Sequence, residues 1–156
     1  VAAVADLTAE GFNHKPIYAQ LVVNQYKTSS SVNLPENVRI KDIMNNVKSF
    51  KNNTQINEIL DFMNKEHHSA YPIVDKHGRL SGIITKSDIE DALIDTKMKS
   101  VTASRILDIN PVTVYPEDNL YTAYYRLHSN STEWAIVVNR NNEVLGIVTR
   151  VDLFSI

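Results

Sequence analysis

Apolar and polar positions along the chain repeat the same series of elements twice. Each copy opens with apolar residues three or four positions apart, a spacing that predicts a helix with one buried face. The first stripe is Ile56, Ile59, Leu60 and Met63, and the second is Leu120, Ala123, Tyr124 and Leu127. Thr54 and Asp118 precede the stripes and are expected to cap the two helices.

Two short apolar strands follow each predicted helix and are separated by a polar turn. The strands span 71–74 and 80–85 in the first copy, and 135–138 and 144–149 in the second. Because nearly every strand residue is apolar, both faces of each strand pair are expected to be covered by helices. Another helix should begin near Ser87, and its counterpart in the second copy should be about one turn long because the sequence stops at Ile156.

A constant offset relates the two copies. Thr149 follows Thr85 by 64 residues, and the same offset carries the stretch GIITKSDI, 82–89, onto GIVTRVDL, 146–153. It also carries Asn46 onto Asn110, and no gap is needed from Val38 onward. The sequence therefore predicts an α/β (α+β) chain with two copies of one fold, 38–97 and 98–156, after a connector over 1–37.

Composition narrows the possible classes of function. A formal charge of −2 offers no basic stripe for nucleic acid, and the absence of cysteine excludes disulfides, zinc–thiolate sites and cysteine nucleophiles. No apolar run approaches the roughly 20 residues of a membrane-spanning helix. His67 and His68 are adjacent and point in different directions, so no metal site is predicted. No nucleophile–base motif is present, so the chain is not expected to be an enzyme.

The end of the last strand in each copy carries the residues best suited to chemistry. A threonine ends the strand there, and an aspartate lies three residues later in the first helical turn. They could cap the helix and do no more, or they could meet a nucleotide, with hydroxyl and backbone N–H groups on phosphate and the carboxylate on ribose. These residues are Thr85 and Asp88, and Thr149 and Asp152; a basic residue, Lys86 or Arg150, follows each threonine.

With its helix, PIV-type strand, turn and GIITKSD ending, the repeat resembles a CBS domain, and residues 38–156 resemble the tandem pair called a Bateman module. The resemblance implies two repeats, each with a small three-stranded sheet and two helices, packed with pseudo-two-fold symmetry. It also implies a regulatory homodimer that binds an adenine nucleotide (ATP, ADP or AMP) in clefts between the repeats.

The family's arrangement implies two clefts when it is carried onto this sequence. One cleft would join Thr149, Arg150 and Asp152 to His68, Ser69 and Tyr71. The other would join Thr85, Lys86 and Asp88 to Thr132, Glu133 and Trp134. The Asp152 cleft is favoured, because Glu133 would place a second carboxylate near Asp88 and repel a phosphate chain.

The stretch Phe12 to Val23, with its Ile17-Tyr18 pair, is similar to the segment after the last membrane helix of CLC chloride channels and transporters. This likeness implies a regulatory region on the cytoplasmic side of a membrane, attached to a transmembrane transport domain of the same chain. Two alternatives remain open. The pair could be a ligand-free dimerisation module, or it could sense nucleotide for a soluble enzyme or for a cation or magnesium transporter.

Overall fold

The computed structural model describes residue 24 and residues 32–95 and 100–156, which form the expected α/β fold. The first repeat contains α1 (Ile40–Ile43), β1 (Phe50–Lys51), α2 (Ile56–Glu66), β2 (Ala70–Val74), β3 (Leu80–Thr85) and α3 (Lys86–Ile94). The second contains a 3₁₀ turn (Ala103–Arg105), β4 (Thr113–Val114), α4 (Leu120–Ser129), β5 (Trp134–Val138), β6 (Val144–Thr149) and α5 (Arg150–Phe154). Each repeat forms a three-stranded sheet, in which a parallel pair is followed by an antiparallel pair.

The turn of each hairpin is built on one side chain. Oδ1 of Asp75 accepts hydrogen bonds from the backbone N–H groups two and four residues later, at 2.8 and 3.0 Å. Oδ1 of Asn139, its counterpart in the second repeat, accepts the two equivalent bonds, both at 2.9 Å. Asp and Asn are common at such positions because their short side chains can reach the backbone just ahead.

One face of each sheet packs on helices, and the other face packs on the second sheet. Ala135 and Val137 of β5 lie in the core formed with α4 and α5, whereas their neighbours point to the opposite side. The cluster between the two sheets is centred on Ala70, Ile83, Ile136 and Val138. The prediction that helices cover both faces is therefore wrong for one face, where the partner sheet replaces them.

The segment ahead of each sheet crosses over to the other repeat. Asn45 and Ile147 exchange two backbone hydrogen bonds at 2.8 and 2.9 Å, and Asp108 and Ile83 exchange two more at the same distances. Asp108 lies 63 residues after Asn45, whereas Ile147 lies 64 residues after Ile83. The prediction of a gapless offset from Val38 onward is thus wrong by one residue in these crossing segments.

The crossing segment of the first repeat contributes to the core of the second repeat. Leu34 and Ile40 are buried there together with residues of α4. The backbone N–H of Leu34 donates to the Tyr121 hydroxyl at 3.0 Å, and that of Ile40 donates to the Asp118 carbonyl at 3.0 Å. The chain therefore enters the fold by way of the second repeat, before it forms the first sheet.

The two amphipathic helices begin one residue later than the sequence predicts. Gln55 precedes α2 and makes no side-chain capping bond. Asn119 precedes α4, and its Oδ1 accepts a hydrogen bond at 2.9 Å from the N–H three residues later. Thr54 and Asp118 are consequently not the caps. Asp118 instead accepts a hydrogen bond at 2.8 Å from the N–H of Tyr115 in the preceding turn.

Most of the predicted connector, including Ile17-Tyr18, lies outside the described residues. Within the described ranges, no helix combines the length and the apolar character needed to cross a bilayer.

Candidate functional site

The two strand–helix junctions have nearly the same geometry. In each, Oδ2 of the aspartate accepts hydrogen bonds from the N–H and the hydroxyl of the threonine. These bonds measure 2.8 and 2.6 Å for Asp88, and 2.7 and 2.7 Å for Asp152. The threonine hydroxyl in turn accepts a bond at 3.2 Å from the aspartate N–H. The capping function is thus realised at both junctions, and it engages only one oxygen of each carboxylate.

A cleft of about 700 Å³ opens between the repeats beside the second junction. Five of the six residues predicted for the favoured cleft line it, namely His68, Ser69, Tyr71, Thr149 and Asp152. The first three come from the turn between α2 and β2 and from the start of β2, and the other two come from the β6–α5 junction. The cleft therefore contains a hydroxyl, a carboxylate and aromatic rings drawn from both repeats.

Arg150, the sixth predicted residue, is not among the residues that line the cleft. Its N–H donates to the Glu133 carbonyl at 2.8 Å, and its Nη2 donates to the Thr132 carbonyl at 3.1 Å. Its Nε also lies 3.7 Å from a carboxylate oxygen of Glu133. Glu133 was predicted to place a carboxylate near Asp88 and to repel a phosphate chain unless a cation intervened, and the structure places the guanidinium of Arg150 beside Glu133.

The residues predicted for the second cleft are distributed differently from the prediction. Trp134 lines the Asp152 cleft, because it pairs with Thr149 across the β5–β6 ladder. Lys86 forms an ion pair of 3.9 Å with Glu90 on its own helix. A nucleotide-binding role for Thr85, Lys86, Asp88 and Thr132 remains a prediction.

Sequence reasoning missed the contribution of the segment ahead of β1, which lines the cleft from Asn45 to Lys48. It also missed Phe62 of α2, which lines the cleft beside Tyr71. The sequence does contain one indication of this contribution, because Lys48 is a charged residue two positions before the buried Phe50. Its position in the cleft could not be predicted, because the crossing of residues 45–48 onto β6 is a contact between distant parts of the chain.

Tyr71 brings a buried hydroxyl to the lining of the cleft. Its side chain is 2% exposed, and its buried hydroxyl has no hydrogen-bond partner in the described part of the chain. Burial raises the pKa of the phenol, and the nearby carboxylate of Glu66 raises it further. An unpaired buried hydroxyl is costly, so a ligand atom or a water molecule that bonded to it would be stabilising.

Comparison with known proteins relates both halves of the chain to one family. The family model for the CBS domain matches residues 40–95 and 103–156. L-aspartate semialdehyde sulfurtransferase from Methanocaldococcus jannaschii is 30% identical over 115 residues, which are 73% of this chain and 22% of that protein. The chain spans 40% and 22% of the length of two curated relatives that it matches.

Two solved structures of the same architecture contain adenosine compounds. The CBS domain pair of protein MJ0100 superimposes with a TM-score of 0.67 at 30% identity, covering 75% of this chain and 93% of that chain. It was crystallised with 5′-methylthioadenosine and S-adenosyl-L-methionine. CBSX2 in complex with AMP has a TM-score of 0.67 at 19% identity, covering 74% of this chain and 92% of that chain, and shows the fold alone.

Proposed function

Because the chain belongs to the CBS domain family and consists of two such domains in tandem, we propose that it is a regulatory module that binds an adenosine ligand in the Asp152 cleft. The observation that carries the proposal is the meeting of Thr149 and Asp152 with His68 to Tyr71 around one cavity of about 700 Å³. The module would bind and release its ligand unchanged, without catalysis of its own.

The cleft offers a partner for each part of an adenosine. Oδ2 of Asp152 is engaged by Thr149, so Oδ1 remains to accept a ribose hydroxyl. The rings of His68 and Trp134 also line the cleft and could stack on a purine. The MJ0100 pair, 30% identical to this chain, supports 5′-methylthioadenosine and S-adenosylmethionine as candidate ligands beside AMP, ADP and ATP.

Regulation requires that a ligand in the cleft alter another part of the protein. The segment over residues 32–48, which crosses from the first repeat to the second, provides such a connection. Asn45 to Lys48 line the cleft, and residues 32–43 immediately before them pack on the second repeat. A ligand that bonds to 45–48 would stabilise one packing of the two repeats, and it would thereby bias the position of residues 32–43.

The matched relatives favour an enzyme as the regulated partner over the CLC-type transport domain suggested by residues 12–23. One of them, a sulfurtransferase, is a longer enzyme of which this chain covers 22%. We therefore propose an enzyme or another non-channel host, with the transport domain as the less favoured alternative. Nucleotide titration of the host's activity, with and without the pair, would discriminate between these hosts.

The binding proposal can be tested directly, because Trp134 is the single tryptophan of the chain and lies in the cleft. Titration with 5′-methylthioadenosine, S-adenosylmethionine, AMP, ADP and ATP should change its fluorescence saturably for at least one ligand, with matching heat in calorimetry. Asp152→Ala should weaken that binding at least about tenfold, the cost of one hydrogen bond to a charged group. Asp91→Ala removes an exposed carboxylate of α3 that does not line the cleft, and this control should leave the binding unchanged. Absence of any response at millimolar concentrations of every ligand would overturn the proposal.

A second candidate function is assembly into a homodimer, and one observation favours it. Helices α3 and α5 expose Ile94, Val151 and Phe154, which are 77%, 70% and 53% accessible, and such apolar groups are often covered by a partner. Under this reading, sedimentation should show a dimer without ligand, and Val151→Glu should dissociate it. Sedimentation as a monomer at all concentrations would exclude it.

A further inference from the structure

Three aromatic rings form a cage at one side of the cleft. The ring centroids of Phe50, Phe62 and Tyr71 lie 5.5 Å from one another in all three pairs, and each pair is close to perpendicular, at 77°, 87° and 70°. Edge-to-face rings present a negative π face on one side, where a cation is stabilised. Phe62 and Tyr71 line the cleft, whereas Phe50 is buried behind them.

The positive group at this cage belongs to the protein itself. Nζ of Lys48 lies 4.1 Å from the centroid of the Phe62 ring and 4.9 Å from that of Phe50. No carboxylate among the described residues forms an ion pair with Lys48, and its ammonium lies over the rings of Phe62 and Phe50 instead. Of the described residues that line the cleft, Lys48 is the one lysine or arginine, and the acids Glu66 and Asp152 line the same cleft.

We propose that the Phe50–Phe62–Tyr71 cage is a cation subsite of the ligand cleft, that the Lys48 ammonium occupies it in the empty protein, and that Lys48 decides which adenosine ligands bind. This inference rests on the proposed adenosine-binding function. A ligand with a phosphate tail draws Lys48 off the rings into an ion pair. A ligand with a sulfonium must displace the ammonium from the cage and take its place over the rings.

Loss of Lys48 should therefore change the affinities for a phosphate ligand and for a sulfonium ligand in opposite directions. In Lys48→Met the cage keeps an apolar side chain but loses the competing charge, so S-adenosylmethionine should bind at least about threefold more tightly. AMP loses its one nearby cation and should bind at least about tenfold more weakly. The tail of 5′-methylthioadenosine is uncharged, so its affinity should change less than about twofold.

Calorimetry on the full chain, with Trp134 fluorescence as a second readout, measures these three affinities. Lys51→Met is the matched control, because Lys51 lies on β1 and is not among the residues lining the cleft; it should alter none of them. Phe62→Leu should weaken S-adenosylmethionine more than 5′-methylthioadenosine, because only the former needs the π face. Thermal melting of each variant identifies any that fails to fold.

The outcomes separate this inference from the function on which it rests. If the parent chain binds none of the three ligands, the proposed adenosine-binding function fails. If it binds 5′-methylthioadenosine but Lys48→Met shifts all three affinities by one common factor, or shifts none, the cation subsite is refuted while the adenosine site stands. Opposite shifts for AMP and S-adenosylmethionine support the subsite.

Discussion

The two repeats have the same fold but place different chemistry at equivalent positions. Lys48, Phe62 and Tyr71 line the Asp152 cleft. At the offset of 64, which holds for the helices and sheets, the second repeat has Arg126 and Ala135 in place of Phe62 and Tyr71. Arg126 also donates a hydrogen bond to the backbone carbonyl of Thr113, and burial lowers the pKa of its guanidinium. Duplication of a fold therefore does not duplicate its site, because the backbone depends on apolar spacing whereas the site depends on individual side chains.

The two crossing contacts also differ in tightness. Both Gly82 and Gly146 face the backbone of the segment that crosses from the other repeat. A Cβ on Gly146 would lie 2.6 Å from the Asn45 carbonyl oxygen. A Cβ on Gly82 would overlap the Asp108 carbonyl oxygen and the Leu107 side chain more severely. Glycine is needed at both positions because another backbone approaches closely.

The largest effect is expected from substitution of these glycines. Gly82→Ala should lower the free energy of unfolding by about 2–4 kcal/mol, and Gly146→Ala by about 1–2 kcal/mol, because the crossing backbone must move away and strain its bonds. Urea denaturation measures both, with Ser81→Ala as a control expected to stay within about 0.5 kcal/mol. Equal losses for the two glycines would show that the crossings are equally tight.

An intermediate effect is expected at the two capping threonines. Thr85→Val should cost about 1–2 kcal/mol and Thr149→Val about 0.5–1 kcal/mol, because each loses the cap but α3 has nine residues to support and α5 has five. Thermal or urea unfolding of both variants checks the order. A larger loss for Thr149→Val would mean that α5 contributes more to the core than its length suggests.

The smallest effect is expected at the hairpin turns, and it depends on pH. Hydrogen bonds from the Arg79 and His77 N–H groups lower the pKa of Asp75 below its usual value of 3.8. Its contribution to stability is therefore present above pH 3.8 and is lost as the pH falls through the lower native pKa. Asp75→Asn should flatten the acid limb of a stability–pH curve measured by thermal melting. An unchanged slope would contradict this.

The reverse substitution in the hairpin turn of the second repeat, Asn139→Asp, should destabilise the folded protein. Nδ2 of Asn139 donates to a Glu143 carboxylate oxygen at 2.5 Å, whereas Asp75 receives Nε of Arg79 at 3.1 Å. Asn139→Asp would bring two carboxylates together, so their repulsion should lower the melting temperature at pH 7. Asn139→Ser, which keeps an acceptor without a charge, controls for loss of the side-chain amide.

The sequence by itself determined the repeated order of elements, because helical spacing, apolar strands and turn residues are read within a few neighbouring positions. It also determined the Thr149–Asp152 junction, whose partners lie three residues apart and bond within one helical turn. The meeting of that junction with His68 was predicted only through the family resemblance. Spacing along the chain does not show which distant segments lie together.

Only the tertiary structure decided which side chains share the cleft. Lys48 lies in the cleft because residues 45–48 cross to β6, where Asn45 bonds to Ile147 about a hundred positions later, and Phe62 lines the cleft from α2. Arg150 does not line the cleft, and its guanidinium instead bonds to the Thr132 carbonyl and lies beside the Glu133 carboxylate. Local sequence patterns reflect interactions between residues that are close along the chain. A cleft between two repeats depends instead on packing and hydrogen bonds among residues that are far apart in the chain.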